Sequence, residues 1–367
     1  MEKTTKQLAL VTGASAGVGK EIADILAAKG FDLILAARSE DKLNTLKSEL
    51  SEKYGVEIKV CPVDLGTENG PLHLYNFCKR SKLTVDLLIN NAGCGLFGEA
   101  IELGEKAIPM LKLNIESLTL LCSYFGKDMA ERKSGSILNI GSIAGNQPTS
   151  YFASYAASKS YVLNYSIALR HELGRYKVNV TCVQPGYIRT NFDNACGIKS
   201  EKYKKFSHNN GMTPRAVAEC AVKSVLAKRS YVRAGFVNKL AAFVTGLIPK
   251  NFLAWCMANT VRSITKDQNN VQDQPKPVDS PKIESKPAEP TPVKEKKTTA
   301  TKTTAAKTST AKKATAKKST SATKTTAATK TSTTAKKSTA GTKSTVAKTT
   351  TARKSTTTKT TTKKSTK

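Results

Sequence analysis

Tyr155 and Lys159, in Tyr155-Ala-Ala-Ser-Lys159, are the pair in this chain best suited to moving a proton. Four apart on a helix, a phenol and an ammonium share one face. A positive charge nearby favours the phenolate and draws the phenol pKa down from roughly 10. A hydroxyl tuned in this way exchanges a proton with a carbonyl or alcohol oxygen near neutral pH. Ser142, in Asn139-Ile-Gly-Ser142, offers a second hydroxyl, and Asn114, in Lys112-Leu-Asn114, an amide. Near the start stands a glycine-rich turn, Thr12-Gly-Ala-Ser-Ala-Gly-Val-Gly19. Glycines let the backbone come close to a phosphate, and a helix opening behind them adds free N–H groups and a positive dipole.

These residues need a scaffold that brings them together. Short apolar runs at 7–11, 31–37, 56–61, 85–89, 136–140 and 179–183 read as strands. Between them, 17–29, 40–53, 72–80, a long stretch near 106–132, and 153–173 read as helices. Strands separated by helices of this length imply βαβ units, hence an α/β fold with one doubly wound parallel sheet, a Rossmann domain. Ligands of such sheets bind outside the carboxyl ends of the strands. The motifs fall at those ends: the glycine turn, then Asp64, Asn91, Ser142 and Pro185-Gly186.

Tyr155, Lys159, Ser142, Asn114 and the G-x-x-x-G-x-G turn, in this order and spacing, resemble the short-chain dehydrogenase/reductase family over roughly residues 5–235. The resemblance implies an oxidoreductase acting on a carbonyl or alcohol with a nicotinamide cofactor. It implies that Tyr155 donates the proton to a carbonyl, that Ser142 holds the same oxygen, and that Lys159 binds the nicotinamide ribose and, joined by the nicotinamide's charge, keeps the phenol pKa low. Asn114 would anchor a water in the proton relay, as suits an amide that bends a helix. Thr12, Gly13, Ser15, Gly17, Val18 and Gly19 would surround the pyrophosphate. Asp64 and Leu65 would flank the adenine, and Asn91 the adenosine ribose while also steadying the central sheet. Pro185, Gly186, Ile188 and Thr190 would line the nicotinamide side. The family resemblance also makes a homo-oligomer an open expectation.

The end of the second strand separates the two nicotinamide cofactors. An acidic residue there would bind the ribose 2′-OH and repel a 2′-phosphate. This chain has Ala36-Ala37-Arg38-Ser39 instead. Arg38 can pair a 2′-phosphate bidentately, with Ser15 as a second contact, so NADP(H) is expected.

The chain has 367 residues and a formal charge of +31, of which +20 lies in 296–367. That segment has 20 Lys/Arg, no Asp or Glu, and mostly Ala, Thr and Ser besides. It cannot bury enough apolar surface to offset ordering, so it reads as a disordered basic tail, with 266–295 as a linker and 1–265 as the folded domain. The tail resembles those of linker histones. Lysines without aromatics neutralise phosphates but neither stack on bases nor read them, so nonspecific contact with DNA, RNA or an anionic membrane is one reading and simple solubilisation the other. Eight scattered cysteines without a C-x-x-C suggest buried thiols in a reducing compartment. No signal peptide or uncharged apolar run of spanning length is evident. A cytoplasmic protein is expected, with nucleoid association or peripheral membrane contact as variants. The three histidines have no ligand spacing, so no metal site is expected.

Substrate identity is weakly encoded. Residues 191–211 should form a mobile lid, with Phe192, Tyr203 and Phe206 facing the substrate. Residues 234–264 are amphipathic, interrupted at Pro249, and depart from relatives that end on a glycine-rich strand. They resemble the branch of 3-oxoacyl and hydroxysteroid reductases, which implies an apolar acyl or polycyclic ketone. Packing across the cleft or a dimer face is the ordinary use of such a pattern, and a membrane surface the other. A noncatalytic nucleotide-binding module is the alternative to an enzyme, and the full Asn114, Ser142, Tyr155, Lys159 set weighs against it. A sugar-nucleotide epimerase fits less well, given the glycine spacing.

Overall fold

The computed structural model describes residues 6–265; the expected linker and tail, 266–295 and 296–367, lie outside the described residues. Seven parallel strands form one sheet in the order β3-β2-β1-β4-β5-β6-β7. They are β1 (Leu8–Thr12), β2 (Asp32–Ala37), β3 (Ile58–Pro62), β4 (Leu87–Asn90), β5 (Gly135–Ile140), β6 (Val178–Gln184) and β7 (Tyr231–Arg233). β1 pairs with both β2 and β4, so the strand order reverses there and a crevice opens at the carboxyl ends.

The strands are nearly continuous apolar runs because both faces are covered. Ala9, Val11, Leu33, Leu35 and Ile89 pack towards α1 (Gly17–Ala28), α2 (Glu40–Tyr54) and a later helix, 214–226. Leu10, Ile34, Leu88 and Ile137 point the other way, towards α3 (Gly70–Arg80) and the helices 118–131 and 153–174. α2 buries Leu43, Leu46 and Leu50 along one stripe and stops at Gly55, whose left-handed φ of 63° lets its N–H reach the Ser51 carbonyl.

The long helix expected near 106–132 is not one helix. The segment runs through α4 (Ala100–Leu103), a 3-10 turn, α5 (Ile108–Leu111), a π-helical turn over Lys112–Ser117, and α6 (Leu118–Glu131). The π turn contains Asn114, whose amide bonds the Cys94 backbone rather than solvent, consistent with the expected bend. α7 (Ala153–Gly174) follows a 3-10 turn at Ile143–Asn146. Beyond β6 come α8 (Phe192–Ala195), α9 (Glu201–Asn210) and α10 (Pro214–Leu226). The expected lid is therefore two short helices.

The short helices α4, α8 and α9, together with α10 and β7, do not stand out in the sequence pattern. Even so, α10 carries its own signal, since Thr213 caps it by accepting from the Ala216 N–H and Pro214 occupies the first turn. β7 is only three residues long, too short for a period. The chain thus keeps a final strand before its amphipathic end, which forms α11 (Phe236–Gly246) and α12 (Lys250–Ile264), separated at Pro249. Five cysteines are buried, whereas Cys94, Cys220 and Cys256 are partly exposed, a departure from uniformly buried thiols. Among the described residues no helix is long and apolar enough to cross a membrane.

Candidate active site

The glycine turn is held from two directions. The Gly13 N–H donates to the Ala36 carbonyl of β2 at 2.8 Å. On the β4 side, Thr12 Oγ1 donates to the Ile89 carbonyl at 3.1 Å and accepts from the N–H groups of Asn91 and Ala92. Asn91 Nδ2 donates to the Thr12 carbonyl at 2.9 Å, so this amide serves the turn itself. Gly13 and Gly17 have φ of +65° and +57°, open to glycine and costly for other residues. At Gly19 the limit is space, because a Cβ would lie 2.2 Å from the Gly13 carbonyl oxygen. Ala16 at the N-cap of α1 supplies no side-chain bond, and the first turn has no acid. Free N–H groups at a helix start beside a close-packed glycine backbone fit a pyrophosphate.

At the end of β2, Arg38 is exposed, and no carboxylate among the described residues pairs with it. Ser15 is partly exposed in the turn. Asp64 is exposed, its carboxylate accepting from the Gly66 N–H at 2.8 Å, while Leu65 is buried. After β6, Pro185 is buried, and its carbonyl accepts from the Ile143 N–H at 3.0 Å, tying this segment to the Ser142 turn. Gly186 and Ile188 are partly buried, and Thr190 Oγ1 accepts from the Phe192 N–H. Val18 is buried in α1.

Ser142, two residues beyond β5, caps the following 3-10 turn in extended backbone, 8 % exposed, and its Oγ accepts from the Ala144 N–H at 3.2 Å. Tyr155 stands in the first turn of α7 within hydrogen-bonding reach of the Ser142 side chain. Lys159, one turn on, is buried; its Nζ lies 5.8 Å from the Tyr155 ring centre and donates to the Ile140 carbonyl at 3.0 Å. Asn114 Nδ2 donates to the Cys94 carbonyl at 2.8 Å and to Ser158 Oγ at 3.1 Å. Gly93 closes the group, since a Cβ there would lie 3.1 Å from Asn114 Oδ1 and 3.4 Å from Lys159 Nζ.

Burial pushes the Tyr155 phenol above its ordinary value, and the Ser142 hydrogen bond pulls it back only in part. Lys159 does not offset this, because its ammonium is directed at the Ile140 carbonyl and is itself drawn down to about 8 by burial. The protein alone therefore holds a neutral phenol, a proton donor.

Around Tyr155 an aromatic wall closes the other side. Phe192 lies 5.7 Å from it and Phe152 5.9 Å, ring centre to ring centre. Tyr203 is buried behind them, against Phe97 and Phe152. Phe206 leans on Tyr187 and is 46% exposed. Tyr151 stacks on Phe97, and its hydroxyl accepts from Arg262 Nε of α12 at 2.8 Å. Phe97, Arg262 and Asn238, whose amide presses on Gly186, were not foreseen. Nothing in their spacing ties them to Tyr155, from which they lie 58 to 107 residues away in the sequence.

Both faces of the crevice thus carry what a nicotinamide-dependent oxidoreductase needs. Residues 7–200 match the family described as "short chain dehydrogenase". The chain belongs to the short-chain dehydrogenase/reductase family and is an oxidoreductase. It is 35% identical over 189 residues to a very-long-chain 3-oxoacyl-CoA reductase of Phaeosphaeria nodorum, covering 50% of this chain and 55% of that one, so it spans about half that relative's length. To the enzyme of the same name from Anas platyrhynchos it is 31% identical over 254 residues, 67% of this chain and 73% of the other. L-Sorbose reductase from Gluconobacter frateurii, solved with NADPH and L-sorbose, superposes with a TM-score of 0.56 at 25% identity over 63% of this chain and 96% of that one.

Proposed function

We propose that the protein is an NADP(H)-dependent reductase that converts the carbonyl of an apolar 3-oxoacyl compound or other ketone to an alcohol. The observation that carries this reading is the Ser142–Tyr155–Lys159 arrangement, set between the glycine turn and an aromatic wall. When bound, the nicotinamide supplies the hydride. The Tyr155 O–H donates the proton to the carbonyl oxygen as the hydride reaches carbon, so one hydride and one proton make the alcohol. Ser142 donates a hydrogen bond to the same oxygen and orients it. Lys159 offers its ammonium to the ribose side and, with the nicotinamide bound, would favour the charge Tyr155 gains as its proton leaves. Asn114 ties the π turn to the Cys94 backbone and to Ser158 of α7.

The glycine turn with Thr12, Val18 and Asn91, the Asp64-Leu65 step, and Pro185, Gly186, Ile188 and Thr190 are the residues assigned to hold the cofactor. Arg38 and Ser15 favour the 2′-phosphate of NADPH. Arg38→Asp should weaken NADPH more than NADH, by roughly tenfold or more, and equal affinities in the unchanged protein would refute this role. Very-long-chain 3-oxoacyl-CoA reductases among the relatives support an acyl substrate. A panel of medium- and long-chain 3-oxoacyl esters, steroid ketones and diketones, followed by NADPH absorbance, tests the reading. Turnover of none of them would favour a noncatalytic nucleotide-binding module.

In this reading 1–265 is the catalytic unit, 266–295 a linker, and 296–367 a nonspecific polyanion contact in a cytoplasmic protein. With 20 cations and no acids, binding of the full chain to DNA, RNA or anionic lipid should weaken steeply with salt, and unrelated duplexes should compete equally.

A further inference from the structure

α11 is amphipathic in the reverse of the usual sense. Its half-buried side carries Asn238, Ala242 and Thr245, polar or small residues at i, i+4 and i+7. Its open side carries Phe236, Leu240, Phe243, Val244 and Leu247, with Phe236 78%, Phe243 65% and Leu247 73% exposed. A soluble helix turns such a stripe to the core. Beside it on α12, Phe252 and Trp255 stack at 5.9 Å and are also open, Trp255 at 63%. An exposed apolar face of this extent marks a binding surface.

The charge around the face indicates what covers it. From Cys220 to Lys266 the sequence has no Asp or Glu, while Lys239 and Lys250 stand exposed at its margin. The chain then continues beyond α12 into a segment whose last 72 residues add 20 Lys/Arg and no acid. A second copy of the same face would set these lysines against their own kind, with no carboxylate from residues 220–266 to meet them. Eleven residues rise only about 16 Å, too short to span a bilayer but sufficient to lie in its interface.

We propose that the exposed face of α11, with Phe252 and Trp255, docks on the surface of an anionic lipid bilayer, its apolar stripe among the acyl chains and its lysines at the headgroups. The face adjoins the site. Asn238 abuts Gly186, the Ser150 hydroxyl donates to the Ala254 carbonyl, and Arg262 holds Tyr151. Docking would place the substrate side at the lipid.

Trp255 is the sole tryptophan and reports on this face directly. The full chain is titrated with phosphatidylcholine vesicles, with and without phosphatidylserine, and with duplex DNA. Anionic vesicles should shift Trp255 emission to the blue, and brominated lipid should quench it. Leu240→Ser/Phe243→Ser/Leu247→Ser, at exposed positions, should keep the melting temperature and NADPH binding yet lose lipid affinity by more than about tenfold. Wild-type sedimentation with vesicles without any Trp255 response would assign binding to the basic tail and overturn the proposal. So would a Trp255 response to DNA but not to lipid. A lipid-free dimer that the triple variant turns into monomer would assign the face to a second copy and overturn it equally.

Discussion

On the glycine-turn side of the crevice, backbone sets the shape: Gly13 and Gly17 adopt left-handed conformations, Gly19 leaves no room for a Cβ, and Thr12 and Asn91 bond main chain. On the Tyr155 side, side chains set it: Phe97, Phe152, Phe192 and Tyr203 meet from four segments, and α12 reaches in through Arg262. A backbone cradle admits few residue types and answers to one ligand shape, whereas a wall of rings can change without disturbing the fold. Changes on the first side should therefore act on everything, and changes on the second on substrate alone.

The largest effect is expected at Gly19. Gly19→Ala forces a Cβ onto the Gly13 carbonyl, so the turn must move. NADPH affinity should fall by more than about a hundredfold, with a loss of stability of about 1–3 kcal/mol, read by fluorescence titration and thermal melting. Unchanged NADPH affinity would show that the turn is not the cradle.

Lys159→Met should separate activity from stability. A lysine whose folded pKa is drawn down to about 8 from 10.5 costs the fold about 3 kcal/mol at pH 7. Orphaning the Ile140 carbonyl takes back about 1–2 kcal/mol, so a net gain of about 1–2 kcal/mol and a rise of a few degrees in Tm should remain. Between pH 8 and 10.5 the unfolded chain binds more protons than the native one. Wild-type stability should climb across that window and the variant's advantage should fade. Turnover should drop by roughly a hundredfold.

Phe192→Ala should do least. It opens the wall beside Tyr155, raising KM for a bulky ketone by less than about tenfold while NADPH affinity stays put. A loss of NADPH binding here would erase the contrast between the two sides.

How far the sequence could be read follows the same division. The strands around the crevice announce themselves as apolar runs, and the glycine turn, Ser142, Tyr155 and Lys159 stand at fixed local spacings. β7 offers three residues and no period. α10 carries a Thr213-Pro214 start, a local helix signal without a long apolar period behind it. Phe97 and Arg262 reach the site by tertiary packing between distant segments, which no local pattern encodes. The period of α11 was legible but its direction was not, because a stripe does not say which side faces the core. The burial that raises the Tyr155 phenol in the protein alone was not legible either, because spacing reports neighbours but not burial.

The central claim is that Tyr155 protonates a carbonyl as hydride arrives at its carbon. The direct test is reduction of an accepted ketone with NADPH deuterated at the transferring position, followed by mass spectrometry of the alcohol, for wild type and Tyr155→Phe. The account predicts one deuterium on the carbinol carbon and a rate at least about a hundredfold lower in the variant, with NADPH affinity retained. Cofactor oxidation without deuterium in the product, or equal rates for the two proteins, would contradict it.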